Sequence, residues 1–387
     1  MLVTLDTITT KITKGTTPTS IGCTFENSGV NFIKSESLGS SRNIDKSKFA
    51  FISEQTHEKL KRSQIEKNDI LFSMAGMFLG KTGIVTDDIV PANTNQAVAI
   101  IRIDNEKANH EYVYYYLNMR SVVQAVNASS AQSAQPNINL KQIGQLEIDL
   151  PDRKVQDKIV SILSAIDFKI ENNNQINDNL TDLLQMIYQE RFGHTSLVAN
   201  QGTLSDICSY SRDKVAVSEL NISTYFSTEN MLSGKAGSTE ATSLPTTPQT
   251  TACHKGDTLI SNIRPYFKKI VYCEDACGCS TDVLCFTPNQ PQYSAYLFST
   301  LYADKFFAFM VAGSKGTKMP RGDKQQIMTY PVILPSEKEL VGFNAIASPL
   351  LEQIYSNRAE NKRLSILRDT LLPKLMSGEI DVSAVQL

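Results

Sequence analysis

The amino-acid sequence repeats one pattern at a constant offset, the one that carries position 151 to position 335. Pro151 is matched by Pro335, and each proline begins a long stretch in which apolar residues recur at helical spacing. Other identical pairs at this offset are Gln142 and Gln326, Ile143 and Ile327, Ile162 and Ile346, Ile170 and Ile354, Asn173 and Asn357, Asn177 and Asn361, Leu180 and Leu364, and Leu183 and Leu367. A constant offset indicates two copies of one module. The sequence therefore predicts a pseudo-two-fold molecule.

The composition is typical of a globular protein of more than one domain. At 387 residues, with 41% hydrophobic and 20% charged residues, the chain exceeds what one hydrophobic core usually serves. The net charge of −2 does not favour binding to nucleic acid by bulk positive charge, but it leaves room for basic faces. Seven cysteines without framework spacing, no long apolar run and no secretion signal predict a cytoplasmic protein with no membrane association.

Four segments alternate along the chain. Residues 1–150 and 193–334 contain short β-type runs bounded by Gly, Pro, Asn and Asp, whereas 151–192 and 335–387 have helical periodicity. We therefore predict an α+β protein, in which two mixed α/β domains are separated by two long antiparallel coiled-coil helices.

Within the first segment, the pattern predicts strands at 70–72, 83–85 and 97–101 and one helix at 110–126. This helix carries an aromatic stripe. Amphipathic helices usually bury such stripes, so a core position is favoured over a ligand site. The stripe consists of Tyr112, Tyr115, Tyr116 and Met119.

The two helical segments share a coiled-coil seam with steps of three and four residues. Pro151 suits a first helical turn and Gly193 a helix stop, whereas Pro349 and Pro373 are expected to interrupt the second helix, with a kink near Pro349. Asparagines recur in both seams, which indicates either antiparallel pairing of the helices in a fixed register or a solvated helix middle. The predicted seam is Ile159, Ile162, Ile166, Ile170, Asn173, Asn177, Leu180 and Leu184 in the first helix, and Ile346, Leu350, Ile354, Asn357, Asn361 and Leu364 in the second.

Two motifs suggest small ligands, and the sequence favours neither. Residues 75–82 satisfy the loose phosphate-binding loop, but that motif requires a following helix, and Gly83 begins a β-type run. A glycine-bearing turn with Lys81 available to a phosphate backbone is the better interpretation. A cysteine group at 273–285 invites a zinc site, but its spacing is unusual, and buried residues in and beside strands explain it more simply. No metal site is predicted.

The remaining candidates are basic and amide-rich loops in both halves. Because no motif for nucleophilic, acid–base or cofactor-dependent catalysis is present, the chain is predicted to be non-catalytic. Lys and Arg neutralise phosphates, and Arg, Asn and Gln contact base edges. The run 313–321 is the strongest candidate, because it has three cations and no acidic residue before Asp323. The candidate DNA-binding residues are Lys14, Arg42, Lys61, Arg62, Lys81, Asn95, Gln96, Gln135 and Asn137 in the first half, and Arg212, Asn262, Arg264, Tyr266, Lys268, Lys269, Lys315, Lys318 and Arg321 in the second.

Five stretches of the sequence form a familiar set: Leu71-Phe72-Ser73 leading to Gly80-Lys81-Thr82-Gly83-Ile84-Val85, the run 259–269, Gly316-Thr317-Lys318-Met319-Pro320-Arg321, Leu150-Pro151, and Lys158-Ile159-Val160 with Asp167-Phe168-Lys169-Ile170. In these stretches the chain resembles type I restriction–modification specificity subunits. It covers essentially the whole chain in the order target-recognition domain (1–150), helix (151–192), target-recognition domain (193–334) and helix (335–387).

The resemblance implies a non-catalytic subunit that reads a bipartite, asymmetric target in double-stranded DNA, one half-site per recognition domain. The helices would set the spacer and dock two modification subunits that hold S-adenosylmethionine and methylate adenine, and motor–nuclease restriction subunits would join for cleavage. No cofactor is expected in this chain. The alternative is a pseudo-symmetric adaptor with a coiled-coil hinge that binds another protein rather than DNA. DNA binding would depend steeply on salt, whereas protein binding need not.

Overall fold

The computed structural model describes residues 1–39, 42–130, 137–193 and 200–383. Its contacts divide the chain into two compact units. Unit 1 comprises Met1–Glu171 with Asn361–Leu387, and unit 2 comprises Asn172–Glu360. Each unit therefore contains one recognition segment and about half of each long helix. None of the described helices combines the length and the apolar character that crossing a membrane demands.

The elements of residues 1–193 follow the predicted order, in which strands and short helices precede one long helix. The strands are β1 Leu2–Thr4, β2 Thr9–Lys14, β3 Val30–Ile33, β4 Ala50–Ile52, β5 Gln64–Ile65, β6 Ile70–Ser73, β7 Thr82–Ile84, β8 Ala92–Thr94, β9 Val98–Ile103 and β10 Glu147–Asp149. The helices are α1 Glu54–Lys59, α2 His110–Leu117, α3 Arg120–Ser130, α4 Leu140–Gly144 and the long α5 Arg153–Phe192.

Residues 200–383 repeat this order. The strands are β11 Gln201–Thr203, β12 Cys208–Tyr210, β13 Lys214–Ala216, β14 Tyr225–Phe226, β15 Gln249–Cys253, β16 Thr258–Ser261, β17 Ile270–Tyr272, β18 Cys277–Cys279, β19 Val283–Pro288 and β20 Pro331–Ile333. The helices are α6 Leu204–Ile207, α7 Ser294–Tyr302, α8 Asp304–Ala312, α9 Lys324–Met328 and the long α10 Glu337–Met376.

The sheets of the two units correspond strand by strand, with one exception. The sheet β2-β9-β6-β7 has its counterpart in β12-β19-β16-β17, and the ribbon β1-β10 in β11-β20. The second sheets share a central trio, β3-β8-β5 and β14-β18-β15, each with one parallel pair. The fourth strand differs, because β4 joins beside β3 whereas β13 joins beside β15. The predicted α+β fold with an internal repeat is therefore correct.

The difference in residue number between matching positions of the two copies decreases along the chain, because one connection is shorter in unit 2. Ile70 of β6 pairs with Ile84 of β7, and Thr258 of β16 pairs with Tyr272 of β17, so the two hairpins have the same length. On their other side, Ile70 pairs with Ile101 and Thr258 pairs with Phe286. The chain from Tyr272 to Phe286 is shorter than the chain from Ile84 to Ile101. The connection from β17 to β19 in unit 2 therefore has fewer residues than the connection from β7 to β9 in unit 1.

The prediction of one continuous helix at 110–126 is wrong, because the structure has two helices there, α2 and α3. Asn118 follows α2, and its side-chain amide donates hydrogen bonds to the Tyr114 carbonyl (2.7 Å) and to the Thr82 hydroxyl (2.6 Å). Such local side-chain bonds compete with helix continuation. The core assignment of the tyrosines is confirmed, since Tyr112 and Tyr115 are buried in the core of unit 1.

The long helices begin and end largely where the sequence predicts. Asp152 accepts a hydrogen bond from the Val155 amide at the start of α5, which ends just before Gly193. Ser336 and Glu339 form a reciprocal capping box at the start of α10. The expected interruption of the second helix is wrong. The helix α10 continues past both of its prolines, because each removes only one hydrogen bond from a helix whose packed face maintains it.

Most of the predicted seam is buried or half-buried, but one position is displaced. Ile346 is 39% exposed, and the next residue, Ala347, is fully buried in its place. The apolar face of α10 thus advances three residues from Leu340 to Phe343 and four from Phe343 to Ala347, as a heptad seam does, and the predicted step of three from Phe343 to Ile346 is wrong. Further along, Leu350 is half-buried beside the buried Leu351.

Polar contacts within unit 2 give the direction of helix pairing. In unit 2, the side-chain amide of Asn357 donates to the side-chain oxygen of Asn177 (2.9 Å), and the side-chain amide of Asn173 donates to the Glu360 carboxylate (2.8 Å). Later residues of α5 thus face earlier residues of α10, as an antiparallel pair requires. The Asn177–Asn357 bond is buried, which favours a fixed register over a solvated helix middle.

A buried tyrosine holds the strand that leads into each long helix. The Tyr112 hydroxyl donates to the Asp149 carbonyl (2.7 Å), and the Tyr296 hydroxyl donates to the Ile333 carbonyl (2.6 Å). Burial raises the pKa of both tyrosine hydroxyls well above the ordinary value, so both remain protonated donors. Donors and acceptors are related by the same offset that carries Pro151 to Pro335, so this bond belongs to the repeated frame.

Removing either hydroxyl should therefore cost a similar amount in each unit. For Tyr112→Phe and for Tyr296→Phe, we expect the free energy of unfolding to fall by about 1 kcal/mol, the usual net value of such a bond. Urea denaturation of the full chain, followed by circular dichroism, measures the change. Tyr293→Phe is the control, because that half-buried tyrosine has no hydroxyl partner in the part of the chain the structure describes, so its change should stay within about 0.5 kcal/mol. Unchanged stability in both test variants would contradict the anchoring role.

Candidate nucleic-acid interface

A turn of equal length connects the two strands of the corresponding hairpin in each unit, β6 with β7 and β16 with β17. We call residues 74–81, between β6 and β7, turn A, and residues 262–269, between β16 and β17, turn B. Turn A is closed by the Ser73 amide, which donates to the Lys81 carbonyl (2.8 Å), and turn B by the Ser261 amide, which donates to the Lys269 carbonyl (3.2 Å). The two turns have equal length, so their residues correspond one to one.

Each turn is also tied to a later segment in the same way. The Met74 carbonyl accepts from the Ile138 amide (2.9 Å), and the Asn262 carbonyl accepts from the Gly322 amide (3.2 Å). The neighbouring residues form isolated β-bridges, Ala75 with Asn137 and Ile263 with Arg321. The backbone frame is therefore common to both units, and it brings predicted site residues from separate parts of the sequence to each turn.

The side chains on this common frame differ between the units. Turn A presents Met77, which is 88% exposed, between glycines. Turn B presents Tyr266 and Phe267, which are 50% and 38% exposed and whose ring centroids lie 4.8 Å apart. Turn B also carries Asn262, Arg264, Lys268 and Lys269, of which Asn262 is buried. A backbone arrangement that both units share, with different exposed side chains in each unit, is suited to two different specificities.

Two of the three cations of the run 313–321 have acidic partners that the sequence did not indicate. The Lys315 ammonium lies 2.5 Å from a carboxylate oxygen of Asp323, and Arg321 lies 3.0 Å from Asp282. Lys318 is exposed and forms no salt bridge within the described residues. The expectation of three free cations is therefore wrong, because folding brings Asp282 to the loop and the backbone pairing of Lys315 with Arg321 turns Lys315 toward Asp323.

The two lysines of turn B also have intramolecular partners. The Lys268 ammonium donates to Asp304 (3.0 Å), and Lys235 donates to the same carboxylate oxygen (2.7 Å). These hydrogen bonds, that of Lys235 first, hold the pKa of the Asp304 carboxyl below its ordinary value. The Lys269 ammonium donates to the Thr228 carbonyl (2.5 Å), and burial lowers the pKa of Lys269.

In unit 1 the predicted residues form two neighbouring groups. The strand β2, whose last residue is Lys14, lies against the short helix Lys61–Ser63, which carries Lys61 and Arg62. The strand end is also tied to the second group, since the Thr16 amide donates to the Thr94 carbonyl (3.0 Å). That second group is Lys81, Asn95, Gln96 and Asn137 around turn A, where the Met74 amide donates to the Ala97 carbonyl (2.8 Å) and Gln96 binds the Thr17 hydroxyl.

Three predicted residues are not brought to these groups. The Arg42 guanidinium forms an ion pair with Glu111 and lies over the ring of Phe168, so it has an internal role. Arg212 is exposed between β12 and β13, and no contact of the described residues ties it to turn B. Gln135 lies outside the described residues.

Comparisons with known proteins find specificity subunits of type I restriction systems. The family model described as "Type I restriction modification DNA specificity domain" matches residues 2–182, which include all of turn A. Residues 2–182 belong to the type I specificity-domain family. A solved relative with the whole-chain fold is the type I restriction–modification S subunit from M. genitalium, with a TM-score of 0.58 and 17% identity over 97% of this chain and 95% of that one.

Curated relatives of the specificity domain are also restriction-enzyme subunits. The MjaIX specificity subunit of Methanocaldococcus jannaschii is 23% identical over 76% of this chain and 74% of its own length. The HindI specificity subunit of Haemophilus influenzae is 26% identical over 34% of this chain, and the match spans only 29% of that relative.

Two other sequence motifs have structural explanations. The phosphate-binding loop is excluded, because Lys81 is followed by the strand β7 rather than by a helix. The cysteines after the specificity domain are core residues, as predicted: Cys253, Cys273, Cys277 and Cys285 are each buried. Among the described residues, no group of three or more His, Cys, Asp or Glu side chains is arranged to hold a metal ion.

Sequence reasoning missed the residues that form the ion pairs of turn B and of the run 313–321. Lys235, Asp282 and Asp304 lie far from their partners along the sequence, and solvated surface residues have the same composition. The one available signal is Asp323, which follows Lys315 closely in the sequence, although that spacing alone does not predict a contact. Exposed Met77 was missed because it lies in an apolar run that is typical of a core, and the exposed Phe267 beside the predicted Tyr266 was also missed.

The contacts of Asp304 predict a pH-dependent contribution to stability. Since its pKa is lowered in the folded state, this stabilisation is fully present above the unfolded value, about 3.9, and is lost as the pH falls through the folded value. Asp304 is 69% exposed, so Asp304→Asn should cost at most about 1 kcal/mol at pH 7, and the cost should shrink toward about pH 3.

Urea denaturation of both proteins at several pH values measures this difference. The control is Glu219→Gln, which changes an exposed carboxylate of the same unit that has no salt bridge among the described residues, and it should give no pH-dependent difference. A pH-independent difference for Asp304→Asn would mean that the ion pairs with the two lysines do not carry the effect.

Proposed function

We propose that this chain is the DNA sequence-recognition subunit of a type I restriction–modification complex. Each unit reads one half of a bipartite, asymmetric target, with residues 1–150 and 193–334 as the two recognition domains. The chain itself is non-catalytic. Two modification subunits supply S-adenosylmethionine and adenine methylation, motor–nuclease subunits join for cleavage, and the complex acts in the cytoplasm.

The observation that carries this proposal is one backbone frame with two different surfaces. Turns A and B share their closing hydrogen bonds and their ties to a later segment, yet one presents Met77 and the other Tyr266. If the two turns bound two copies of one partner, their surfaces would need to be equal. A protein that reads two unlike DNA half-sites needs one architecture with independently variable loops.

The polar residues around the turns are of the kinds that contact DNA. Turn B and the neighbouring loop place Arg264, Lys318 and Arg321 close together, since the Arg264 amide donates to the Pro320 carbonyl (2.8 Å). In unit 1, Lys81, Asn95 and Asn137 surround turn A. Cations position the phosphate backbone, and amides and guanidinium groups can distinguish base edges.

The long helices are suited to dock the modification subunits. Apolar side chains lie exposed along both of them, although a helix in water normally presents polar residues on its free face. These exposed residues are Phe168, Ile176, Leu183 and Met186 on α5, and Val341, Ile346, Tyr355, Ile366 and Leu367 on α10. The distance that the helices set between the recognition domains then defines the spacer of the target.

Replacing one recognition domain tests this function directly. A host strain that carries the modification subunits is compared with and without this chain, and adenine methylation is mapped by long-read sequencing. We expect a bipartite methylated motif only when the chain is present. Exchanging residues 1–150 for the same segment of a relative should change one half of the motif and leave the other half and the spacer intact.

The reciprocal exchange of residues 193–334 is the matched control, since it should change the other half only. Both halves changing together would contradict one half-site per unit. If the methylation map does not depend on this chain, and the chain instead retains a protein partner at high salt, it is a protein-binding adaptor.

The pairing of the cations predicts unequal contributions to DNA binding. Lys318 has no salt bridge within the described residues, so Lys318→Ala should weaken binding to cognate and scrambled duplexes alike and reduce the slope of log affinity against log salt by about one unit. Lys315→Ala should have the smaller effect, because Asp323 competes with DNA for that ammonium. Fluorescence anisotropy of the assembled complex across a salt series measures both slopes. Equal slopes for Lys318→Ala and the wild type would remove this loop from the phosphate contacts.

A further inference from the structure

The two turns share their backbone conformation but not the residues that favour it. In turn A, Gly76 and Gly80 have φ angles of 70° and 80°. At the corresponding positions of turn B, Arg264 and Lys268 have φ angles of 50° and 51°. This left-handed region is disfavoured for residues with a side chain, and glycine is the usual occupant. Turn B therefore keeps two strained residues where the other copy has none.

The strain at Lys268 has an explanation inside the protein. Its ammonium group forms an ion pair with Asp304, and its carbonyl accepts a hydrogen bond from the Lys235 amide (2.9 Å). Lys235 is itself in the left-handed region, with a φ angle of 65°, and binds the same carboxylate. The Lys268 side chain is thus a brace that fastens turn B to the start of α8.

Arg264 has no comparable partner. Within the described residues, its guanidinium group forms no hydrogen bond or ion pair, and its Nε atom is buried without an acceptor. Two residues earlier, the buried side-chain oxygen of Asn262 also lacks a donor. Unsatisfied polar atoms and left-handed residues are each costly, and together they are typical of sites arranged for a ligand.

The backbone around Arg264 is held by hydrogen bonds, whereas its guanidinium group has no partner among the described residues. The Arg264 amide donates to the Pro320 carbonyl, and the preceding Ile263 forms a β-bridge with Arg321. Arg321 is itself bound to Asp282 (3.0 Å). Of these two neighbouring arginines, Arg264 is therefore the one whose guanidinium is available to an external acceptor.

We propose that Arg264 is a specificity-determining residue that reads a guanine base in the half-site contacted by unit 2. This inference rests on the proposed function. The planar guanidinium matches the O6 and N7 acceptors of guanine in the major groove with two parallel hydrogen bonds. A phosphate contact needs only a flexible cation, and Lys318 supplies one from an exposed loop. A strained backbone and a buried Nε instead restrict the guanidinium to a narrow set of directions, which suits the reading of a base edge.

The decisive variant is Arg264→Gly, which installs the residue that turn A has at this position. Because glycine relieves the backbone strain and removes the unsatisfied Nε, the melting temperature of the full chain should rise. Affinity of the assembled complex for the wild-type target should nevertheless fall by about 5- to 150-fold, and the preference for guanine at one position should relax. Selection from a randomised duplex library, together with thermal unfolding, measures both effects.

Arg264→Lys separates base reading from phosphate contact. Lysine keeps the charge but loses the planar fork, so the guanine preference should weaken, whereas a phosphate contact would be largely kept. The matched control is Asn68→Gly, which also places glycine at a left-handed position, with a φ angle of 69°, outside turns A and B, and should retain the wild-type motif.

Three outcomes decide the inference. Loss of the preference for one guanine in Arg264→Gly, with a weaker preference at the same position in Arg264→Lys, supports it. Uniform weakening on all sequences with an unchanged motif overturns it in favour of a phosphate contact, and an unchanged affinity and motif overturns it altogether. If the wild-type complex selects no motif at all, the proposed function itself has failed, and with it the basis of this inference.

Discussion

The fold depends on a hydrogen bond that is made once in each unit, from a buried tyrosine to the last strand before a long helix. Tyr112 and Tyr296 come from helices packed against the central sheets, and their acceptors lie at the points where the chain leaves the recognition segment. A buried hydroxyl has few alternative partners, so it fixes the strand relative to the helix that carries it. The direction in which α5 and α10 start is therefore set by the cores of their own units, and the variable loops have no part in it.

This arrangement separates the parts of the chain that can vary from those that cannot. The strand registers, the closing bonds of turns A and B and the tyrosine contacts recur in both units. The side chains on the turns and the edge at which the fourth strand joins the second sheet do not. Two surfaces can therefore diverge in specificity while the frame remains common, which is the property that a reader of two unlike half-sites requires.

Much of this frame could be predicted from the sequence, because it depends on local signals. Pro151 and Gly193 lie just outside the first long helix, and the seam asparagines gave its antiparallel partner, as the Asn177–Asn357 bond illustrates. The errors arose where a tertiary contact outweighs a local preference. Packing carries α10 through Pro349, and a side-chain bond to Thr82 ends α2 at a place that the periodicity does not mark.

The candidate site was less accessible to sequence reasoning. The basic residues were found by type, but their availability depends on contacts between distant segments. Asp304 holds Lys268, and Asp282 holds Arg321, whereas Lys318 remains without such a partner among the described residues. The sequence does not indicate the strain at Arg264, because it has glycine at this position in one copy and arginine in the other, although both adopt the left-handed conformation.

The short ribbons at the base of the recognition segments have a consequence for how such a chain can change. The strand β1 pairs with β10, and β11 pairs with β20, so the first and last strands of each segment are immediate neighbours. A segment whose entry and exit coincide can gain or lose residues internally without moving the points where it joins the rest of the chain. The connection before β19 is shorter than its counterpart before β9, and the ribbons of both units nevertheless pair in the same antiparallel manner. Each segment is in this sense a closed loop on a fixed stem, and its length is free to change in evolution.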